Sequence, residues 1–189
     1  IAAGSLTHTA GIMNGTWEAQ GDVTIGSDAD GGGGTLTMTG AVNRNYTYTA
    51  SGTGPYFQIN KTGGATVTPA GGTTALSVDL FNLIAGSFTA PTGTMTVGRN
   101  ANSETFFTVA TGATFTHNSG TVTFDPQAGC TGGTFTVDVA TSLTLNNMNM
   151  SANDTCDGFD DTITTASGDT VIAAGSLTHT AGIMNGTWE

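Results

Sequence analysis

Residues 113–124 have the sequence ATFTHNSGTVTF, and this stretch contains the pattern that decides the fold. Phe115, Val122 and Phe124 alternate with threonine, which places apolar side chains on one face of a strand and threonine on the other. Between the two runs, Asn118-Ser119-Gly120 is a typical turn sequence. The stretch therefore predicts two short β-strands separated by a tight turn.

The same alternation recurs along the whole chain, between turns rich in glycine, asparagine, aspartate and proline. Further runs lie at 6–9, 35–39, 46–49, 94–97, 134–139 and 143–145. Threonine is favoured on an exposed pleated face, and the chain contains 39 threonines. Apolar residues with a helical period are almost lacking, so the sequence predicts an all-β protein.

Residues 1–18, IAAGSLTHTAGIMNGTWE, occur again without change as residues 172–189. This duplication predicts a tandem array in which residues 1–171 are one period and residues 172–189 begin the next identical period. A weaker similarity between residues 85–89 and 3–7 divides the period into two diverged modules, roughly 1–84 and 85–171. In the other interpretation, the terminal copy is a grafted segment that fills a gap left by the first.

Short strands and tight turns in stacked copies are typical of a β-solenoid, which is the predicted fold. The alternative is a β-sandwich subunit, in which the duplicated segment is a donor strand that completes a neighbour's open sheet. Gly11, Asn14 and Gly15 interrupt the alternation that a donor strand needs. This interruption favours the solenoid.

The composition is acidic and poor in charge. Three Lys/Arg against 14 Asp/Glu give a net charge of −11, and only 9% of the residues are charged. Nucleic acid binding requires a basic cluster, and attraction to anionic membranes requires basic residues as well, so neither partner is expected. No apolar run approaches the roughly 20 residues that span a bilayer, so no membrane insertion is predicted. This composition favours an extracellular or cell-surface location.

The two cysteines, Cys130 and Cys156, predict a disulfide, because an even number of cysteines is typical of extracellular proteins. They are 26 residues apart, close to one solenoid coil of about 20–25 residues, so the bond would join neighbouring coils. The alternative is two free thiols.

Residues 86–98 and 113–124 resemble the Thr/Gly-rich repeats of very large bacterial secreted and cell-surface β-helix proteins of the adhesin or autotransporter-passenger type. The resemblance covers most of the chain in texture and includes no diagnostic motif. It implies a right-handed parallel β-helix, an extracellular location and a structural or adhesive role. It assigns no catalytic residue to this chain.

Two acidic stretches are candidate calcium sites, because calcium binds alternating oxygen ligands beside a turn glycine. The candidate ligands are Asp28, Asp30, Asp154, Asp157, Asp160 and Asp161. The distal glutamate of calcium loops is missing, so solvated acidic turns are the simpler interpretation, and no other cofactor is expected. Candidate glycosylation sites, as Asn-x-Ser/Thr sequons, are Asn14, Asn45, Asn60, Asn149 and Asn153.

These observations predict a structural repeat unit of an extracellular filament or surface stalk that assembles end to end, and not an enzyme. Its partner is itself, as a covalent tandem array or a head-to-tail homopolymer, with glycans as a further candidate partner. The 18-residue segment is the predicted junction. Its packing anchors are Leu6, Ile12, Met13 and Trp17 in the first copy and Leu177, Ile183, Met184 and Trp188 in the second.

Three other functions are compatible with the sequence. A pilin-like subunit would polymerise through a donor strand. An ice-binding or glycan-binding β-helix would use threonine rows, although the Thr-x-Thr runs are unevenly spaced and do not predict one flat face. A polysaccharide-degrading β-helix enzyme would use acids such as Asp138, Asp160 and Asp161, but a tandem repeat would copy its site in every period.

Overall fold

A computed structural model describes residues 2–98, 103–152 and 160–189 of the chain. Within these ranges all regular structure is β, and no helix occurs. The strands are β1 (Leu6–Gly11), β2 (Thr16–Ala19), β3 (Val23–Ala29), β4 (Thr35–Gly40), β5 (Arg44–Tyr48), β6 (Tyr56–Lys61), β7 (Thr66–Pro69), β8 (Ala75–Val78), β9 (Phe81–Ala85), β10 (Ser87–Thr89), β11 (Thr94–Val97), β12 (Ser103–Val109), β13 (Thr114–Thr116), β14 (Thr121–Phe124), β15 (Thr134–Val139), β16 (Ser142–Leu145), β17 (Asn147–Ser151), β18 (Thr162–Thr165), β19 (Thr170–Ala173), β20 (Leu177–Ala181), β21 (Ile183–Asn185) and β22 (Thr187–Trp188).

The strands form four open sheets. Sheet 1 has the order β2-β4-β6-β9-β12-β15-β18-β21 and runs the whole length of the molecule. Sheet 2 has the order β1-β3-β5-β7-β10-β13, sheet 3 the order β8-β11-β14-β17-β20, and sheet 4 the order β16-β19-β22. Sheet 4 takes the place of sheet 2 in the last coils, because its strands also follow sheet 1 and precede sheet 3 along the chain.

The chain winds from sheet to sheet, and each strand pairs with a strand of the next coil. In sheet 1, Thr16 lies opposite Thr35, whereas Phe107 lies opposite the more distant Val137. The pairs among the described residues are all parallel, as in Val122 with Met95. The coils therefore differ in length. They lengthen toward the middle of the second half of the chain, and the last coil is short again, with Thr162 opposite Ile183.

Alternation explains which side chains enter the core. In β14, Val122 and Phe124 are buried, whereas Thr121 and Thr123 are partly exposed. The turn before this strand has Asn118 and Ser119 at φ 51° and 59°, a left-handed conformation that asparagine tolerates better than most residues. The alternating runs on either side of this turn are thus the strands β13 and β14, but they enter different sheets and do not form a hairpin.

An aromatic column fills the middle of the core. Phe81 is fully buried and lies 4.8 Å from Phe88 and 5.3 Å from Phe107, measured between ring centroids. The column continues to Phe124, whose ring centroid is 5.3 Å from that of Phe107. Phe81 and Phe88 belong to one coil, and Phe107 and Phe124 belong to the next, so these rings join two successive coils within one continuous core.

This all-β arrangement of parallel strands in stacked sheets is consistent with the predicted β-solenoid and differs from an antiparallel sandwich. The described residues include no helix that is long and apolar enough to cross a membrane. The predicted boundary between modules 1–84 and 85–171 falls inside β9. The division into modules, the tandem array and the right-handed winding stay predictions.

Candidate assembly junction

The two copies of the 18-residue segment form the two ends of the fold. The N-terminal copy (residues 1–18) contains β1, the edge strand of sheet 2, and most of β2, the edge strand of sheet 1. The C-terminal copy (residues 172–189) contains β20, β21 and β22, which are edge strands of sheets 3, 1 and 4. Each end therefore presents unpaired strand edges made from the same sequence.

Both copies have the same local conformation. Gly11 and Gly182 have φ values of 81° and 83°, and Gly15 and Gly186 have φ values of 79° and 87°. Positive φ at these corners favours glycine over residues with a side chain. The segment is therefore one strand, a glycine corner, a short extended piece, a second glycine corner and a last strand.

Side chains reinforce these corners identically in both copies. His8 Nε2 lies 3.0 Å from the Gly11 carbonyl oxygen, and His179 Nε2 lies 2.9 Å from that of Gly182. The indole nitrogen of Trp17 donates to the Asn14 carbonyl at 2.8 Å. Trp188 makes the equivalent bond to the carbonyl of Asn185 at 2.6 Å. The sequence thus fixes the local shape of the segment independently of its neighbours.

The sheets that receive the two copies differ. Residues 6–10 lie in sheet 2, whereas the identical residues 177–181 lie in sheet 3. Residues 16–17 lie in sheet 1, whereas the identical residues 187–188 lie in sheet 4. The C-terminal copy is therefore displaced by one sheet around the coil relative to the N-terminal copy.

Three of the four predicted anchor positions differ in exposure between the two copies, whereas isoleucine is exposed in both, as Ile12 and Ile183. Met13 is 2% exposed beneath the second coil, whereas Met184 at the free end is partly buried. Trp17 is 43% exposed, whereas Trp188 packs against Phe124 with ring centroids 6.3 Å apart. Exposed apolar side chains at the ends also include Leu177, Ile183 and Ile12, while Leu6 is half-buried.

The N-terminal end also has a surface cavity of about 450 Å³. It is lined by Ala2, Leu6, Asn14, Gly15, Thr16, Trp17 and Glu18. All of these residues except Ala2 lie on β1, β2 or the corner between them. The cavity is therefore lined entirely by residues of the N-terminal copy.

Cys130 lies in the connection between β14 and β15, and Cys156 lies outside the described residues, in the connection between β17 and β18. These connections follow sheet 3 in two successive coils. The disulfide between neighbouring coils stays a prediction.

We expect a non-reduced proteolytic digest to contain one peptide pair that joins Cys130 to Cys156, because adjacent coils are about 4.8 Å apart and a disulfide needs Cα atoms within about 7 Å. Mass spectrometry before and after reduction measures this. Alkylation of both thiols in native, non-reduced protein would contradict the prediction.

The calcium candidates that the structure describes differ in exposure. Asp28, Asp30 and Asp160 are exposed, Asp161 is fully buried, and Asp154 and Asp157 fall outside the described residues. Among the described residues, no group of three or more His, Cys, Asp or Glu side chains could hold a metal ion. Calcium binding therefore stays a prediction.

Asp161 has a structural contact instead. Its Oδ2 accepts a hydrogen bond from the Ala128 N–H at 2.9 Å, and its Oδ1 accepts one from the Gly133 N–H at 2.7 Å. Both donors belong to the connection that carries Cys130. The carboxylate therefore ties the connection between β14 and β15 to the next coil.

The sequons also differ in exposure. Asn14, Asn45 and Asn60 are exposed, whereas Asn149 is half-buried in β17. Asn153 falls outside the described residues. Glycosylation of each position stays a prediction.

Sequence reasoning missed a polar groove of about 290 Å³ along sheet 3. It is lined by Thr53, Ser77, Asp79, Thr96, Gly98, Asp125 and Gln127. Burial raises the pKa of the Asp125 carboxyl, and a hydrogen bond from Ser151 opposes this shift. Asp79 and Asp125 each directly follow an alternating strand, which is the sequence signal that could have placed them at one edge of the stack.

Threonine ladders occur on the outer face of sheet 3. Thr94 pairs with Thr121, and Thr96 pairs with Thr123, so two Thr-x-Thr runs stack in register. The row that contains Thr96 and Thr123 begins with Ser77 and continues through Asn149 to Thr178. The runs at 35–39, 47–49 and 66–68 lie mainly in sheets 1 and 2, so the threonines do not share one face.

No family model, curated protein or solved structure matches this chain. The resemblance to bacterial β-helix repeats therefore remains one of sequence texture.

Proposed function

We propose that this chain is a structural repeat unit of an extracellular filament or cell-surface stalk, which assembles end to end as a tandem-repeat, right-handed β-solenoid. The observation that carries the proposal is the duplicated segment, because it forms the unpaired edges at both ends in one local conformation. Parallel edges of identical sequence are suited to continuing the sheets from one unit to the next.

The surface chemistry supports this role. Few basic residues and a net charge of −11 keep such units in solution between their ends, because like charges repel along the sides. The short axial contact would be apolar, through side chains such as Leu177 and Ile183. Association is thereby directed to the ends.

We expect that deleting residues 172–189 impairs end-to-end assembly of the chain, because β20, β21 and β22 provide one of the two mating edges. Sedimentation velocity over a concentration series and electron microscopy measure particle length. Filaments of unchanged length from the truncated chain would contradict the proposal.

Point variants provide a matched control for this deletion. Leu177 at the free end and Ile84 in the middle of sheet 1 are 42% and 43% exposed. Leu177→Glu should weaken association by about 100-fold or more, because an unpaired carboxylate would be buried at the junction. Ile84→Glu should leave association unchanged. If both variants weakened association equally, the contact between units would involve the sides of the molecule and not only its ends.

The stacked Thr-x-Thr runs of sheet 3 favour ice binding as a second candidate function. Rows of hydroxyl and methyl groups along Thr94–Thr121 and Thr96–Thr123 have the spacing of the coils, about 4.8 Å. Such a regular array can order water at a crystal face.

If sheet 3 binds ice, the chain should lower the freezing point below the melting point and shape ice crystals. We expect Thr123→Tyr to abolish this thermal hysteresis, because a bulky ring would stand in the middle of the array. Thr108→Tyr, on the outer face of sheet 1, is the control and should leave it intact. Absence of ice shaping by the unaltered chain would reject this function.

A further inference from the structure

The two copies of the junction segment have opposite sides covered. The C-terminal copy rests on the coil that precedes it, through β17, β18 and β19, and its other edge is open. The N-terminal copy is covered by the coil that follows it, through β3 and β4, and its preceding edge is open. Together, the two copies show what occupies each side of one segment.

The preceding side is seen at the C-terminal copy. Leu177 lies opposite Met148, and Thr178 lies opposite Asn149. Met184 lies opposite Ile163. Apolar side chains of the segment thus continue the core columns of the coil below.

The following side is seen at the N-terminal copy. Leu6 lies opposite Val23, and the Leu6 N–H donates to the Asp22 carbonyl at 2.8 Å. The Met13 N–H donates to the Gly31 carbonyl at 2.8 Å. Residues 22–37 are therefore the coil that covers the following side of this sequence, which is the side left open in the C-terminal copy.

Gly32 and Gly34 of the covering coil leave room for the backbone of this segment. A Cβ at Gly32 would overlap the Met13 carbonyl oxygen, and a Cβ at Gly34 would lie 2.6 Å from it. Both positions are closer than real contacts allow. The close approach of Met13 therefore requires the glycines of this coil.

The coil beneath the C-terminal copy leaves no room for a side chain at the two corner glycines of the segment. A Cβ at Gly182 would lie 2.7 Å from the Ala152 side chain, and one at Gly186 would overlap the Thr165 hydroxyl. The equivalent Gly11 and Gly15 have nothing within 4 Å of such a Cβ. Gly11 and Gly15 of the N-terminal copy therefore leave the space that a coil would need beneath them.

We infer that residues 172–189 take the place of residues 1–18 of the next unit, so that their open edge binds residues 22–37 of that unit in the register that the N-terminal copy shows. This inference rests on the proposed function. Because residues 177–181 lie in sheet 3 and residues 6–10 in sheet 2, the second unit is turned by one sheet about the axis. The threonine face of sheet 3 then follows a helical path along the filament.

A chain of two units tests this arrangement, with residues 1–171 followed directly by the complete 189-residue chain. Cysteines replace Asn149 of the first unit and Thr7 of the second unit, which is the position of Thr178. We expect rapid disulfide formation between them, because neighbouring strands lie about 4.8 Å apart. A second pair, Thr7→Cys with Thr24→Cys in the second unit, should also form a disulfide.

The control pair replaces Thr123 of the first unit and Thr7 of the second unit. These positions are two coils apart, about 9.6 Å, so cross-linking should be at least about tenfold slower than for the Asn149 pair. Peptide mapping separates these bonds from those of Cys130 and Cys156.

Small-angle scattering of the unaltered two-unit chain separates the outcomes. A single rod of about 70 Å, together with both disulfides, is the expected result. A rod without the Asn149 pair would overturn the one-sheet turn and leave the filament function standing. Two independently moving units without that pair would overturn the inference and the proposed function together.

Discussion

Replacing Phe81 by alanine is expected to lower the free energy of unfolding by about 3–5 kcal/mol. The ring is fully buried, and its centroid lies 4.8–6.4 Å from those of Phe57, Phe88, Phe107 and Phe115. Truncation leaves a cavity that rigid strands on every side cannot close. Urea unfolding followed by far-ultraviolet circular dichroism measures the loss.

Two variants of the same strand provide the controls. Phe81→Leu retains most of the apolar volume and should cost markedly less than the alanine variant. Ile84→Ala removes a side chain that is 43% exposed and should change stability by no more than about 0.5 kcal/mol. A loss below about 1 kcal/mol for Phe81→Ala would show that the aromatic column does not hold the coils together.

The local alternation of the sequence was sufficient to place the strands. In β14, Val122 and Phe124 point inward because they alternate with threonine, and the same rule places Leu36 and Met38 inward in β4. Strand formation depends on neighbours two residues away, so a single sequence contains this information.

The sheet that each strand joins was not predictable from local sequence. Residues 6–10 and 177–181 are identical and have the same shape, yet they lie in sheets 2 and 3. The lengths of all the intervening coils, which differ along the chain, determine the sheet that a strand reaches. That information is spread over the whole period and is absent from the segment itself.

Long-range polar contacts were missed for the same reason. Asp79 and Asp125 line one groove although they are separated by two strands of sheet 3 along the chain. Their meeting depends on the stacking of β8, β11 and β14. The sequence suggested that Asp161 is a calcium ligand. Its structural role could not be predicted, because its partners are backbone N–H groups, which have no signature in the sequence.

Replacing Asp161 by alanine is expected to cost about 3–4 kcal/mol in the free energy of unfolding. The carboxylate is fully buried and accepts hydrogen bonds from the N–H groups of Ala128 and Gly133. A hydrogen bond to a charged group contributes about 1.5–3 kcal/mol, and each buried donor left without an acceptor costs about 1–3 kcal/mol. Urea unfolding measures the global loss, and hydrogen exchange at the two amides measures the local one.

Asp160 provides a control next to this residue, because its side chain is exposed. Asp160→Ala should change stability by no more than about 0.5 kcal/mol. Asp161→Asn retains one acceptor oxygen and should lose about half as much as the alanine variant. Equal stability of the variants at 160 and 161 would show that the two hydrogen bonds contribute nothing.

The loss at Asp161 should also depend on the redox state, because Cys130 lies in the connection that the carboxylate holds. A disulfide to Cys156 would keep this connection near the next coil after the hydrogen bonds are removed, by limiting the conformations of the opened state. We therefore expect Asp161→Ala to accelerate amide exchange at Ala128 and Gly133 more strongly in reduced than in oxidised protein. The same acceleration under both conditions would show that no covalent bond supports this connection.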